Sequence, residues 1–480
     1  MTPKKRSYPY LLDGKLQRTG KLSDVTNPYD GSVVGRYYKL PEASVEQAIA
    51  STAAASAAAQ ALPAHARAAA LVYISGQIEK RAEEFAQLIT SENGKPLMWS
   101  RGEVARGIST FRWAAEEARR FSGELQRLDT EASATGRIAV VRRFPRGPIL
   151  GISPFNFPLN LVAHKIAPAI AAGAPILLKP AGSTPLTAML LGSIIAETEL
   201  PAGMVNIVAI PGKEMDTLVT DPRLPVITFT GSGAVGQGLL DKAPRKHHTL
   251  ELGGNGAAIV APDWDDLDKA ADRLATFANY QAGQSCIAVQ RIYVHKDQYD
   301  AFIKLLTKKV KALKTGDPAK STTVVGPVID EGEATRIVDW IGEAKKAGAT
   351  VLTGGRRRGT TVAPTVLVDV PKNAKVSNDE VFGPVLTVKA YRTLDEAFRL
   401  VNDSRYGLQA GVFTKNIETA FRAHRELQVG GVIVGDVPSF RADQMPYGGW
   451  KESGVGREGI ASAIEDYTEA RVMVLTGLDL

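Results

Sequence analysis

The only cysteine in the chain, Cys286, lies in YQAGQSCIAVQR (280–291), on a Gly283-Gln284-Ser285 turn rather than inside an apolar period. A free thiol is either a small buried hydrophobe or, as thiolate, a nucleophile toward an electrophilic carbon. Two further groups would serve the second role. Glu251, which opens ELGGN, is a candidate general base. Asn156 in GISPFNFPLN has its backbone fixed by Pro154 and Pro158, so its amide is a candidate donor to a developing oxyanion. The alternative for Asn156 is a turn asparagine that satisfies local backbone groups.

Other turns have the chemistry of a nucleotide site. Gly231-Ser232-Gly233-Ala234-Val235-Gly236 follows the apolar run PVITFT and has the form GxGxxG, opening a helix whose free N–H groups suit a phosphate. Such turns also arise for steric reasons alone. Glu251 is not in the place of a ribose-binding acid, because the glycines of ELGGN indicate a tight backbone beside a site instead. Lys179 ends PILLKP before a loop of Pro, Gly, Ser and Thr, where it is either a ribose or phosphate ligand or a surface lysine.

The elements that must position these groups follow from periodicity. Residues 42–120 are rich in Ala, Glu and Arg at helical spacing. After residue 137, short apolar runs (GPILGISP, PILLKP, VNIVAI, PVITFTG) alternate with helical stretches near 161–172, from Pro185 and from Gly212. A second such series follows Cys286, with RIYVH, VLTGG, LTVKAY and GGVIVG as strands. This predicts an α/β fold of two doubly wound lobes with parallel sheets, whose ligands bind beyond the carboxyl ends of the strands. Residues 123–145 lack a helical period and predict a protruding hairpin, matched by the final run ARVMVL; edges of this kind invite subunit pairing.

Composition narrows the class. A length of 480 residues implies two or three domains. One cysteine excludes an internal disulfide, and neither a signal-peptide core nor an apolar run of membrane-spanning length is present, so a cytoplasmic protein without membrane partners is expected. The net charge of +7 is spread along the chain except at Arg356-Arg357-Arg358, which is read as a solvated turn rather than a nucleic-acid patch. No metal centre is expected.

Taken in order, PFNFPLN, KPAGSTP, FTGSGAVG, ELGGN, GQSC, EVFGPVL and PYGGWKESGVGREG resemble the aldehyde dehydrogenase superfamily over nearly the whole chain. The resemblance implies that Cys286 adds to an aldehyde as a thiohemiacetal, that Asn156 and the Cys286 N–H hold the oxyanion, and that Glu251 activates the water that hydrolyses the thioester. Relatives that transfer the acyl group to coenzyme A typically lack this acid, so hydrolysis is expected; a CoA-acylating or reductive variant, and more remotely a non-enzymatic binding protein, are the alternatives. It further implies cofactor contacts at Lys179, Gly182, Ser183, Gly212, Gly231, Ser232, Val235, Glu380, Phe382, Ile152 and Phe155. Many NAD-preferring relatives carry a glutamate where this chain has Gly182, so the resemblance points to NADP, with NAD as a second cofactor.

It places Phe157, Asn160, Leu161, His164, Tyr280, Ser285, Ile287 and Tyr447 around the substrate, with Arg106 and Arg441 as further candidates. That mixture favours a small polar or anionic aldehyde such as lactaldehyde, a short semialdehyde or glyceraldehyde 3-phosphate. The alternative for each arginine is a salt bridge, and for His164 a satisfied helix histidine. The implied architecture is a cofactor domain at 1–122 and 146–253, a catalytic domain at 254–453 and oligomerisation segments at 123–145 and 454–480, joining a homodimer or homotetramer.

Overall fold

The computed structural model describes residues 6–477; the outermost parts of the expected domain segments, 1–5 and 478–480, lie outside the described residues. The first lobe is built on an eight-stranded sheet. Its parallel centre runs His247–Glu251, Val226–Thr230, Ile149–Ile152, Ile176–Lys179, Val205–Ile207, in that spatial order. The chain order reverses beside Ile149–Ile152, so the ends of these strands, at Ile152, Lys179, Thr230 and Glu251, open on one crevice. Ile149–Ile152 and Val226–Thr230, in the middle of the sheet, are buried along their whole length, as parallel pairing under helices requires. The helix Asn160–Ala172 is buried at every residue, and its alanines let neighbouring helices approach closely.

The second lobe has a seven-stranded sheet ordered Thr350–Thr353, Thr365–Val368, Val385–Tyr391, Val289–His295, Gly256–Val260, Gln409–Phe413, Gly431–Val434. All neighbours are parallel except the first pair. A third sheet joins Glu124–Arg127, Arg137–Pro145 and Thr468–Thr476, with Thr468 opposite Pro145 and Thr476 opposite Arg137. Its side chains Leu125, Val472, Met473 and Val474 are exposed.

Three differences from the sequence reading have physical causes. The segment from 454 does not belong wholly to the protruding sheet: Gly454–Val455 pairs antiparallel with Leu250 and Glu251, and the helix Ile460–Tyr467 packs on Asn160–Ala172, burying Ile460, Ala463, Ile464 and Tyr467. Only Thr468–Thr476 reaches the third sheet. The helix expected from Gly212 starts as a single tight turn, Gly212–Glu214, before Met215–Thr220. The amino-terminal region carries strands not anticipated from periodicity: Tyr10–Leu12 and Lys15–Gln17 extend the first sheet, and Ser7–Tyr8, Leu22–Thr26 and Val33–Tyr38 form a small sheet of their own. The arginine triplet ends in a hairpin, Arg357–Arg358 against Thr361–Val362. Among the described residues no helix is long and apolar enough to cross a membrane.

Candidate active site

The helix Leu267–Asn279 stops where the backbone turns left-handed at Gln281 (φ 40°), Ala282 (φ 58°) and Gly283 (φ 71°). For the two residues with a β-carbon this costs about 1–2 kcal/mol each, so the surroundings must over-determine the turn. They do so through glutamines. Gln281 Nε2 donates to the Gln284 carbonyl at 2.7 Å, Gln284 Nε2 returns to the Gln281 carbonyl at 3.2 Å, and Gln284 Oε1 accepts the Ile329 N–H at 2.9 Å. Gly283 is required, since a β-carbon there would stand 2.1 Å from the Gly383 carbonyl oxygen. The turn delivers Cys286 beside Gly254, whose missing side chain leaves room for the Cys286 carbonyl; a β-carbon at 254 would be 2.0 Å from it. ELGGN and GQSC are therefore pressed together, and Asn156 Nδ2 donates to the Gln284 carbonyl at 3.0 Å, leaving its second N–H for another acceptor. The three catalytic candidates thus come from three separate segments to one place.

Electrostatically the site is poised against premature ionisation. Desolvation pushes the Cys286 thiol up to about 12, with the Glu380 and Glu251 charges adding to the rise and a hydrogen bond from Tyr447 and the Arg441 charge opposing it. Glu251 ends its strand with both carboxyl oxygens buried and without a hydrogen-bond partner. Burial first, then the neighbouring Glu458 charge, raises its carboxyl well above the ordinary range, which suits a base that must give its proton back. Behind it, Glu458 is bonded to Lys165 and Arg441, each at 3.1 Å, and Lys165 also reaches Thr230 Oγ1 at 2.8 Å. Glu458 and Lys165 were not anticipated, because charged residues in a helix and in GREG read as solvated until their burial is known.

A cavity of about 260 Å³ opens above the sulfur. Of the anticipated residues, Phe157, Asn160, Leu161, Tyr280, Ser285, Ile287, Tyr447, Arg106 and Arg441 line it; Trp99, Gly102, Glu103, Arg273, Phe277, Gln281, Ser439 and Phe440 complete the wall and were not foreseen. His164 is not on the wall. It is fully buried, and its Nε2 donates to Asp443 at 2.9 Å, with burial first and then the Arg441 charge holding the imidazole below its usual value and so neutral. Asp443 also accepts from Arg106 at 2.8 Å and from Asn160 Nδ2 at 3.3 Å. Against burial, the His164 hydrogen bond and the Arg106 charge keep it below the usual carboxylate range. Both arginines are therefore salt-bridged and at the cavity wall, and the two readings of them are compatible. A buried ion pair of Lys95 with Glu103 props the PFNFPLN loop: Glu103 Oε1 accepts the N–H groups of Leu159 (2.8 Å) and Asn160 (3.1 Å), and Lys95 Nζ stands 3.9 Å from the Phe157 ring centre.

The other side of Cys286 fits a dinucleotide. Glu380 Oε1 accepts the Gly254 N–H at 2.9 Å, and burial raises its carboxyl to about 7. Phe382 is held at φ 49° with its ring edge-on to Phe155, centroids 5.8 Å apart, and Ile152 is buried at the end of its strand. Ser232 precedes the helix Gly233–Lys242 without using its side chain as a cap, Val235 is exposed on the first turn, and a β-carbon at Gly231 would be 2.4 Å from the Phe229 ring, so that glycine is steric. Lys179 Nζ donates to the Pro180 carbonyl at 3.1 Å and makes no ion pair among the described residues; burial lowers its pKa. Gly182 and Gly212 have open space where a side chain would be, and Ser183 adjoins the first of them.

Comparison with known proteins agrees with this geometry. The model of the aldehyde dehydrogenase family matches residues 16–473. The chain is 40% identical over 471 residues to a 3-sulfolactaldehyde dehydrogenase of Priestia megaterium, covering 98% of each. It superposes on aldehyde dehydrogenase 21 of Physcomitrella patens, solved with the reaction product succinate, with a TM-score of 0.97 at 42% identity and 99% coverage of both chains. An NADP-dependent glyceraldehyde-3-phosphate dehydrogenase of Bacillus halodurans, solved with NADP, gives a TM-score of 0.94 at 34% identity over 98% of this chain and 99% of that one. A family model that spans nearly the whole chain, and relatives matched end to end, show that the chain belongs to the aldehyde dehydrogenase family and is an NAD(P)-dependent enzyme.

Proposed function

We propose that this enzyme oxidises a short aldehyde bearing an anionic group, a sulfonate or a carboxylate, to the corresponding acid, with NADP as the preferred cofactor. The observation that carries the reading is Arg441. Its guanidinium is 5% exposed at the cavity wall, pairs with Glu458 through one nitrogen and leaves a buried Nε–H without a partner. A buried donor left unmade costs about 1–3 kcal/mol, which an anionic substrate oxygen would recover. Arg106 and Arg273 also line this space, each held by a carboxylate behind it, Asp443 and Asp436. The Priestia megaterium relative is named for a sulfonated aldehyde, and the Physcomitrella patens enzyme holds a dicarboxylate product.

The chain's residues then divide the work. Cys286 sulfur bonds to the carbonyl carbon, and the oxygen that gains the electron pair takes the free Asn156 N–H and the Cys286 backbone N–H. Bound nicotinamide supplies the acceptor for the hydride. The resulting thioester on Cys286 is then attacked by water, from which Glu251 takes the proton. Lys179, with no carboxylate beside it and Gly182 open, supports a 2′-phosphate. Residues 6–122 and 146–253 with 454–467 would form the cofactor lobe and 254–453 the catalytic lobe. The exposed apolar edge Val472–Leu475 supports assembly into a homodimer or homotetramer, and a thiol that must stay reduced suits the cytoplasm.

The test is kcat/KM for 3-sulfolactaldehyde and succinate semialdehyde against butyraldehyde, in the wild type and in Arg441→Met. A charge-assisted hydrogen bond of about 1.5–3 kcal/mol predicts an anion preference of roughly 10- to 150-fold that the variant loses, read as the ratio of anionic to neutral aldehyde so that any loss of turnover common to all three substrates cancels. Equal use of neutral and anionic aldehydes by the wild type would overturn the reading.

A further inference from the structure

The reaction outlined above gives the hydroxyl of Tyr447 no task, yet it touches the reacting atom. Its oxygen lies 3.0 Å from Cys286 Sγ. The residue is fixed apart from the edge that lines the cavity: Tyr447 exchanges backbone hydrogen bonds with Glu458 (2.9 and 2.7 Å), the Arg441 guanidinium covers its ring at 3.7 Å, and Ile287 and Leu408 pack beside it. Only 4% of the residue is exposed. A phenol so fixed cannot swing to water, and Cys286 is its side-chain hydrogen-bond partner.

We propose that the Tyr447 hydroxyl is a catalytic donor to the Cys286 thiolate, holding the sulfur anion in the interval between deprotonation and attack on the aldehyde carbon. The proposal rests on Cys286 being the nucleophile. Polarity follows from the neighbours: a thiolate can only accept, and burial together with the nearby Cys286 keeps the phenol protonated, so Tyr447 donates. The other ionisable groups facing the sulfur do not replace it. Glu380 and Glu251 oppose the anion, Arg441 favours it through space, and Tyr280, which lines the same cavity, is itself kept un-ionised by burial. In proton terms, the thiol proton leaves to solvent water in the cavity that Cys286 lines, Tyr447 keeps its own, the C–S bond forms from the sulfur lone pair, and the carbonyl electron pair moves to the oxygen held by Asn156. As sulfur loses its charge, the hydrogen bond weakens.

Two opposing effects set the size. Losing a hydrogen bond to a charged group raises the thiol pKa by about 1–2, cutting the thiolate about 10- to 100-fold. The thiolate that remains is more basic and, with a Brønsted slope of about 0.4–0.5, roughly 3- to 10-fold more nucleophilic. The net slowing is about 3- to 10-fold.

The experiment is alkylation of Cys286 by iodoacetamide and by iodoacetate from pH 6 to about 10, followed by peptide mass spectrometry, in the wild type and Tyr447→Phe. Iodoacetamide is neutral and needs neither aldehyde nor cofactor. For Tyr447→Phe the expected result is a 3- to 10-fold slower reaction at neutral pH, a rate rise displaced to higher pH, and an unchanged ratio of the two reagents. Wild-type rate with an unmoved pH profile would overturn the donor role. An iodoacetate to iodoacetamide ratio near one in the wild type would instead count against the anionic-substrate reading, so the two failures are distinct. If the phenylalanine variant does not fold, 3-fluorotyrosine at 447, a stronger donor, must move the profile to lower pH; no movement contradicts the proposal.

Discussion

Cofactor choice can be rewritten at one residue, Gly182→Glu. An ideal β-carbon at 182 meets nothing within 4 Å, and the position is exposed, so the new side chain fits without moving the loop. Lys179, three residues earlier, has the Pro180 carbonyl as its partner and no carboxylate among the described residues. A carboxylate placed about 5 Å from a dianionic 2′-phosphate, at an effective dielectric near that of water, repels it by about 2 kcal/mol, which is roughly thirtyfold on kcat/KM for NADP. With NAD the same carboxylate meets ribose hydroxyls, and a charged hydrogen bond is worth about 1.5 kcal/mol, roughly tenfold in the opposite sense. The ratio of kcat/KM for the two cofactors should therefore fall by about two orders of magnitude, and by less at high ionic strength because the site faces solvent. Steady-state rates with each cofactor, at low and at high salt, measure it. A ratio that does not move, or an equal loss with both cofactors, would refute the argument that open space at Gly182 and an uncompensated Lys179 favour the phosphate.

Glu251→Gln should keep a burst of about one NADPH per active site while steady turnover falls about 10²- to 10⁴-fold, the size expected for losing a general base. In the wild type, deacylation-limited turnover should rise with pH through the elevated Glu251 pKa, since the base acts only when ionised, and Glu251→Gln should flatten that limb. Lys95→Met should destabilise the chain by about 3–5 kcal/mol by leaving Glu103 buried without its cation, and adding Glu103→Gln should restore part of it; thermal inactivation rates report both.

The parallel sheets were legible because each strand is a short apolar run between turn residues, and PVITFTG, PILLKP and RIYVH fall where the periodicity places them. The three candidate catalytic residues stood out because each sits in a stretch of unusual local chemistry: a thiol on a polar turn, an amide between prolines, a carboxyl before two glycines. Contacts between distant segments were not. Arg106 meets Asp443, and Lys165 meets Glu458, across 337 and 293 residues, and nothing in the local pattern of either helix distinguishes these cations from solvated ones. The left-handed turn at Gln281 and Ala282 was hidden for a different reason: neither residue type favours that conformation, and only their tertiary hydrogen bonds enforce it. The short strands before residue 40 escaped because pairing rather than their own alternation fixes them, Leu11 opposite Ile207 in the first sheet and Ser7–Tyr8 and Leu22–Thr26 against Val33–Tyr38 in the small one.

The central claim is that Cys286 sulfur carries the acyl group between hydride loss and hydrolysis. Mixing Glu251→Gln with NADP and the preferred aldehyde, quenching in acid and mapping peptides by mass spectrometry tests it directly. The account predicts the added mass of the substrate acyl group on the peptide containing Cys286, in proportion to the NADPH formed in the burst. A burst of NADPH with that peptide unmodified would contradict it.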